Sequence, residues 1–422
     1  MIAQALYDIA TTAAAPLAAG YLLLSSKYRP LLGRFRPPFP RPAAPPLWLQ
    51  ACSVGEAAVA ATLLRSLRAR WTDLPLHLTV STVAGRTRAE ELAPGTPISW
   101  FPVDQRLVVR DFLARMNPRM LVLVETEIWP NTIRLARQQG IPVVLVNARI
   151  SDKHYPRYLR WRRLFEPAFA RVTAAGAQSD VHAERLVSLG VPSAAVTVTG
   201  NTKFDGVTTQ VDPALQVSLK RECGLLQRSP IVVFGCTRPG DEQLAAAVWE
   251  SLKRAWPDAG LVVAPRHIER TPEIARYFNE PVLLRSRCKN APPSGDARIL
   301  ILDTLGELIS FYSLADVAVV GGSFYPGVNG HNPLEPAALG VATVFGPFMS
   351  NFADPARVLI GCDGAAQVSD ADALQRSLLA LLADAGWRAR LAHNAREAIA
   401  QNHGATDRTL DLIGDIMMKW PR

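Results

Sequence analysis

Three glutamates stand at the ends of strand-like apolar runs, the position from which side chains of an α/β protein reach a ligand. The run LWLQACSV leads into Ser53-Val54-Gly55-Glu56 and then the helical pattern AAVAATLLRSLRAR. Gly55 allows a tight turn there, so Glu56 falls in the first helical turn. A glutamate in that place is commonly no more than a complement to the helix dipole. The same dipole favours the ionised carboxylate that a general base needs at neutral pH. LVLVETEI ends abruptly in Glu125-Thr126-Glu127, followed by Trp129-Pro130-Asn131. Two carboxylates at the end of a buried strand need a function or a cationic partner, and strand alternation directs both to one face. Residue type alone does not rank them. Lys203, in Gly200-Asn201-Thr202-Lys203-Phe204-Asp205 after the strand-like VTVT, can neutralise a phosphate or carboxylate, although most lysines are simply solvated.

The second half carries a different chemistry. FGCTRPGDE reads as strand, small-residue turn and helix start, an anion cradle of backbone N–H groups. Arg266 and His267 leave the very apolar run GLVVAP where a substrate phosphate would lie. Asp303-Thr304-Leu305-Gly306-Glu307 closes another run, with Asp303 or Thr304 as a helix cap. In GGSFYPGVNGHNPLEPAALG, Gly321 and Gly322 permit close backbone approach, and Asn332 and Glu335 bracket a proline at a helix start. That start can hold a phosphate, with Glu335 accepting hydrogen bonds from a ribose or base.

The elements that position these residues are short apolar runs alternating with amphipathic helical patterns, which implies parallel sheets covered by helices. LWLQACSV, LHLTVST, MLVLVETEI, PVVLVNA and VTAAGAQS are the strands of the first half; IVVFGCT, GLVVAPRH, ARILILD, VAVVGGS and ATVFG are those of the second. With 422 residues, the chain exceeds the roughly 250–300 at which a single core stops growing. The expected architecture is α/β with two Rossmann-like domains and ligands in a cleft between them.

A composition of 49% hydrophobic and 20% charged residues is that of a globular protein and excludes wholesale disorder. Net charge +9 and pI 9.6 suit an anionic partner. Without an RNP-like aromatic pattern, zinc-finger spacing or basic heptad helix, nucleic acid is set aside in favour of a membrane surface or a phosphorylated substrate. Five scattered cysteines, none in a CxxC pair, argue for a reducing compartment and against structural zinc.

The uncharged run Ile9 to Leu24 is followed by Lys27, Arg29, Arg34, Arg36 and Arg41, the pattern of a membrane-associated segment with a cytoplasmic basic flank. It is short for a span of about 20 apolar residues and is interrupted by Pro16 and Gly20, so spanning and surface-lying forms both stay open. The bland alternative is an Ala-rich helix packed on the protein body. The expected segments are 1–36, membrane-associated; 37–46, a Pro-rich linker; 47–205, a first Rossmann-like domain; 206–228, an inter-domain linker; 229–394, a second Rossmann-like domain; and 395–422, a C-terminal helix packing back on the first domain.

Eight ordered motifs, SVGE (53–56), ETEIWPN (125–131), NARIS (147–151), GNTKFD (200–205), PRHIER (265–270), DTLGEL (303–308), GGSF (321–324) and GHNPLEP (330–336), resemble the 3-deoxy-D-manno-octulosonic acid (Kdo) transferases specific for lipid A precursors. The resemblance implies a GT-B glycosyltransferase that moves Kdo from CMP-Kdo to a lipid A precursor (lipid IVA) with inversion, in lipopolysaccharide core biosynthesis at the cytoplasmic side of the inner membrane. It implies Glu56 as catalytic base and Glu125 and Lys203 as transition-state stabilisers. Pro265, Arg266, Leu305, Gly306, Glu307, Asn332, Pro333, Leu334 and Glu335 match its CMP-binding segments. No cofactor and no metal are expected, because the leaving group carries one phosphate that a helix start and Arg266 can offset.

The chain departs from the family pattern where Cys236-Thr237-Arg238-Pro239-Gly240-Asp241-Glu242 replaces the usual STHEGEE, where Val328-Asn329-Gly330 precedes His331, and at Phe348. The altered 236–242 loop leaves as a rival a GT-B transferase for another CMP-activated acidic sugar or another acceptor, and the non-enzymatic rival is a basic membrane-surface binding protein that kept the fold and lost turnover.

Overall fold

The computed structural model describes residues 2–39, 41–288 and 297–420. Met1, Pro40 of the proline-rich segment and the last two residues of the expected C-terminal segment lie outside the described residues. The chain divides into two compact units, Met1–Gly206 with Asn402–Arg422, and Val207–Gln401.

The first unit is built on seven strands: β1 (Leu47–Ala51), β2 (Leu76–Val80), β3 (Ile98–Trp100), β4 (Met120–Val124), β5 (Val143–Ala148), β6 (Ala174–Ala177) and β7 (Val196–Val198). They form one parallel sheet in the order β3-β2-β1-β4-β5-β6-β7. Helices cover both faces, so the central strands are buried throughout and read as unbroken apolar runs. Alternate side chains serve different cores: Leu47, Leu49 and Ala51 join one cluster, whereas Trp48 joins the other with Phe101 and Phe112.

The second unit repeats the plan with β8 (Ile231–Thr237), β9 (Gly260–Pro265), β10 (Val282–Leu284), β11 (Ile299–Ile301), β12 (Val317–Val320), β13 (Ala342–Phe345) and β14 (Ala366–Gln367). Their order is β10-β11-β9-β8-β12-β13-β14, again all parallel. In each sheet the winding direction reverses once, between β1 and β4 and between β8 and β12. Loops leave the sheet on opposite sides at such a point and open a crevice at the carboxyl ends of the strands.

Three segments differ from their sequence reading. Residues 206–228 are largely folded rather than a bare linker: Pro213–Glu222 is a helix, and Leu219, Cys223 and Leu225 pack in the second unit's core. The Pro-rich stretch lies along the first unit, with Phe39 edge-on to His77 and Phe112 and Arg115 Nη1 donating to the Pro37 carbonyl at 3.1 Å. At the C-terminus the helix Ala385–Asn402 lies in the second unit but for its last residue, Asn402, while Ala405–Lys419 lies in the first. That last helix sends Leu410, Ile413, Ile416 and Met417 into the core, and Asp205 accepts the N–H groups of Gly404 and Thr406 at its start.

The N-terminal run forms the helix Ile2–Leu24, and no helix among the described residues is long and apolar enough to cross a membrane. Its polar residues face the first unit: Tyr7 donates to Asp104 at 2.8 Å, Gln4 to Asn131 at 3.0 Å, and Asp8 pairs with Arg134 at 3.1 Å. Its apolar residues are left outside, with Leu6, Ile9, Leu17, Tyr21, Leu23 and Leu24 all exposed.

Candidate functional site

At the switch point of the first sheet, the helix Val54–Arg70 begins at Ser53, whose Oγ accepts the Glu56 N–H at 3.2 Å. Glu56 reaches back in turn, taking the Cys52 N–H on Oε2 at 2.6 Å and the Ser53 hydroxyl on Oε1 at 2.9 Å. This varies the capping box, with the return bond going to the N–H of Cys52, the residue before the cap, so Glu56 does serve the helix end. A cap does not require what lies beside it. Glu127 and Glu125, from the end of β4, lie near enough to repel its charge; burial first, then these two acids, push its pKa up to about 8. The expectation that the helix dipole keeps Glu56 ionised is therefore corrected. A helix N-terminus is worth roughly 0.3–1 kcal/mol, under one pKa unit, and burial beside two carboxylates outweighs it.

The two β4 glutamates do not share a strand face, because the strand stops at Val124 and Glu125 adopts φ +59°, off the pleat. Glu125 meets Lys203 Nζ at 3.2 Å, with both side chains mostly buried. Lys203 is delivered there by amide side chains: Asn201 accepts the Lys203 N–H at 3.0 Å, Asn147 accepts the Thr202 N–H at 3.0 Å, and Gln178 bridges Asn201 to the Asn147 carbonyl. Glu127 instead accepts from Trp129 Nε1 at 2.9 Å and from Gln50, and burial raises its pKa as well. The Cys52 thiol is pushed up to about 12 by burial and the neighbouring glutamates and stays protonated.

Two contributors here escaped the sequence reading. Arg34, counted only as part of a basic flank, is carried inward by the short helix Arg29–Arg34, donates Nε to the Phe101 carbonyl at 3.0 Å, and lies beside Glu127, Asp104 and Cys52. Gln50 is fully buried in the middle of β1, hydrogen-bonded to Thr79 and Ser81. A lone amide inside an apolar strand was the only sequence signal for it.

The matching switch point of the second sheet has the opposite character. The register of β8 against β9 shifts between Gly235 and Thr237, and Cys236 takes φ +53°. Gly321 follows β12 so closely that a Cβ would stand 2.6 Å from the Cys236 carbonyl oxygen. The expected cradle of backbone N–H groups is not free, because Asp241 Oδ2 takes the N–H of Arg238 at 2.9 Å and of Gly322 at 2.6 Å. Side chains gather there instead. Arg238 contacts His267 Nε2 at 2.7 Å and His331 Nε2 at 3.4 Å, with Arg266 alongside. Burial, then Arg238, Arg266 and His267, depress His331 to about 4, so it is neutral near pH 7.

The remaining expected donor residues fall at strand ends of this unit. Pro265 closes β9 and Arg266 follows it, exposed. Leu305 and exposed Gly306, the latter at φ +83°, lie in the loop after β11. Glu307 is occupied by Arg285, at 3.1 and 3.0 Å, and by Thr304, so its carboxylate fixes the loop. Glu307, not Asp303 or Thr304, occupies the cap position of the helix Leu308–Tyr312, while Asp303 accepts from Ser286. Asn332 Oδ1 takes the Leu334 N–H at 3.1 Å, which removes that donor from the helix start after Pro333. The Asn332 amide meets Glu335 at 3.3 Å, and burial raises the Glu335 pKa. Among the described residues, no group of three or more His, Cys, Asp or Glu side chains is arranged to hold a metal ion.

Two parallel seven-stranded sheets, each with a switch point, make an α/β fold of the GT-B type. The fold is shared with UDP-GlcNAc 2-epimerase from Neisseria meningitidis, with a TM-score of 0.58, 14% identity and coverage of 87% of this chain and 99% of that one. It is shared too with a glycosyltransferase from Rickettsia africae, with a TM-score of 0.57, 10% identity and coverage of 89% and 99%. Residues 27–206 match the family model described as 3-deoxy-D-manno-octulosonic-acid transferase (kdotransferase). The chain is 34% identical over 389 residues to the 3-deoxy-D-manno-octulosonic acid transferase of Bordetella pertussis, covering 89% of this chain and 88% of that protein. With the enzyme of the same name from Haemophilus influenzae the figure is 30% over 395 residues, 92% of each chain. The chain belongs to the Kdo transferase family and is a glycosyltransferase.

Proposed function

We propose that this protein transfers Kdo from CMP-Kdo to a lipid A precursor, lipid IVA, with inversion at the anomeric carbon, as a step in lipopolysaccharide core assembly. The observation that carries the reading is the grouping of Glu56, Glu125 and Glu127 at the ends of β1 and β4, where burial and mutual repulsion raise the proton affinity of Glu56. A sugar hydroxyl is a poor nucleophile, and a carboxylate with raised proton affinity is a stronger base for it. The acceptor oxygen attacks the anomeric carbon, its proton passes to Glu56, and the bond to the phosphate oxygen breaks to release CMP. Lys203, fixed by Glu125, stabilises charge that develops in the transition state. The second unit binds the donor: Arg266 offsets the phosphate, and Glu335 accepts hydrogen bonds from the ribose or base.

The acceptor is a lipid, so the enzyme works at the cytoplasmic face of the inner membrane. The helix Ile2–Leu24 lies on that surface rather than across it, with Leu17, Tyr21 and Leu24 toward the acyl chains and Lys27, Arg29 and Arg36 near anionic headgroups.

Purified protein incubated with CMP-Kdo and a tetraacylated lipid A precursor should yield mass increments of one or more Kdo units by mass spectrometry. Failure with CMP-Kdo, together with transfer from another CMP-activated acidic sugar, would move the assignment to that donor.

A further inference from the structure

We propose that Arg238 recognises the carboxylate of the donor sugar, separately from the phosphate, and so selects an acidic sugar. This rests on the reading of the second unit as the donor site. Arg238, Arg266, His267 and His331 come from the ends of β8 and β9 and from the loop after β12, three neighbouring strands at the switch point. The Arg238 guanidinium contacts two imidazole nitrogens, His267 Nε2 at 2.7 Å and His331 Nε2 at 3.4 Å, and among the described residues it is hydrogen-bonded to no carboxylate. To accept from a guanidinium both rings must be unprotonated at Nε2, and for His331 its depressed pKa of about 4 fits that role.

The nearest acid, Asp241, is turned under the loop onto the backbone N–H groups of Arg238 and Gly322. Glu242 is engaged by Arg270 at 2.9 Å, and His267 Nδ1 meets Glu269 at 3.3 Å. Among the described residues, the two neighbouring guanidinium groups thus share no carboxylate hydrogen-bonded to both, an arrangement that an anionic ligand completes.

A CMP-activated ulosonic acid brings two anions, the phosphate and the C1 carboxylate. Arg266 and Arg238 provide one cation for each. Arg238 is held in a fixed orientation by the two imidazoles, and its planar fork matches a carboxylate in two-point contact. The backbone N–H groups of the turn, already taken by Asp241, do not compete for that role.

The test compares Arg238→Ala and Arg238→Lys with wild type in two measurements, calorimetric Kd for CMP and KM for CMP-Kdo. Loss of a hydrogen bond to a charged group predicts a KM for CMP-Kdo raised roughly 10- to 150-fold in Arg238→Ala. Arg238→Lys, which keeps the charge but not the fork, should fall between that variant and wild type. CMP affinity should stay within about twofold in both, which also establishes that the variants are folded. An equal loss of CMP affinity would assign Arg238 to the phosphate and overturn the proposal, as would an unchanged KM for CMP-Kdo. If wild type itself fails to bind CMP, it is the donor reading that falls.

Discussion

The two sheets differ in strand order on one flank, where β11 inserts between β9 and β10, but each places its reactive residues at its switch point, and one point is acidic and the other basic. After β1 and β4 stand Glu56, Glu125 and Glu127, softened by Lys203 and Arg34. After β8, β9 and β12 stand Arg238, Arg266, His267 and His331, with the nearest acid, Asp241, turned onto backbone. The scaffold therefore decides where ligands are met, and the few residues just past each strand decide which charge is met there. In the proposed mechanism the acidic end accepts protons and the basic end holds anions. Burial acts on both, raising Glu56 and depressing His331, so each cluster is pushed toward its less charged form until a substrate arrives.

The largest break in this comparison should come from Glu56→Gln, which keeps size and hydrogen bonding but removes basicity. Turnover should fall by about 10²–10⁴-fold with CMP affinity unchanged. Because its raised pKa makes ionised Glu56 a cost to the folded state, its stability contribution is full below pH 4.5, is lost progressively as pH rises from 4.5 to about 8, and is gone above that. The Tm of Glu56→Gln at alkaline pH should accordingly match or exceed that of wild type. A variant with near-normal turnover would reduce Glu56 to a cap and pass the base to Glu125 or Glu127.

Arg266→Ala attacks the basic end, and calorimetry should show CMP binding weakened by about 1.5–3 kcal/mol with no change in the pH dependence of turnover. Unchanged CMP affinity would remove Arg266 from the phosphate. Deleting residues 1–24 removes no residue of either cluster, although it takes away the Tyr7 hydrogen bond to Asp104, which lies beside Arg34. It should abolish sedimentation with anionic liposomes while leaving CMP affinity intact; undiminished liposome binding would place membrane contact elsewhere. The smallest effect is expected from chelation, since the charge on one phosphate is offset by arginine: activity should survive excess EDTA, and loss restored by magnesium would contradict that account.

What the sequence made legible was what local rules control. The ten central runs read as strands are strands in the structure because burial on both faces demands uninterrupted apolar residues. The strands it did not mark, β3, β10 and β14, are edge strands of two or three residues, too short to stand out as runs. Glu56 was visible as an N-terminal glutamate, and Glu125, Glu127 and Lys203 as charges at strand ends.

The rest depended on contacts between distant segments. Arg34 reaches Glu127 from far along the chain, Asp241 fills the turn that looked like an anion cradle, and Arg285 occupies Glu307. The proton affinity of Glu56 likewise depends on acids about seventy residues away, which no local pattern encodes.

The most direct test of the central claim, a carboxylate base whose affinity is raised by its acidic neighbours, is the pH dependence of kcat/KM in wild type and Glu127→Gln. In wild type the rate should rise with pH along a limb centred near 8, because only ionised Glu56 accepts the proton. Removing the Glu127 charge should move that limb to lower pH, since one source of repulsion is gone. A rate independent of pH from about 6 to about 9, or a limb that Glu127→Gln leaves in place, would contradict the account.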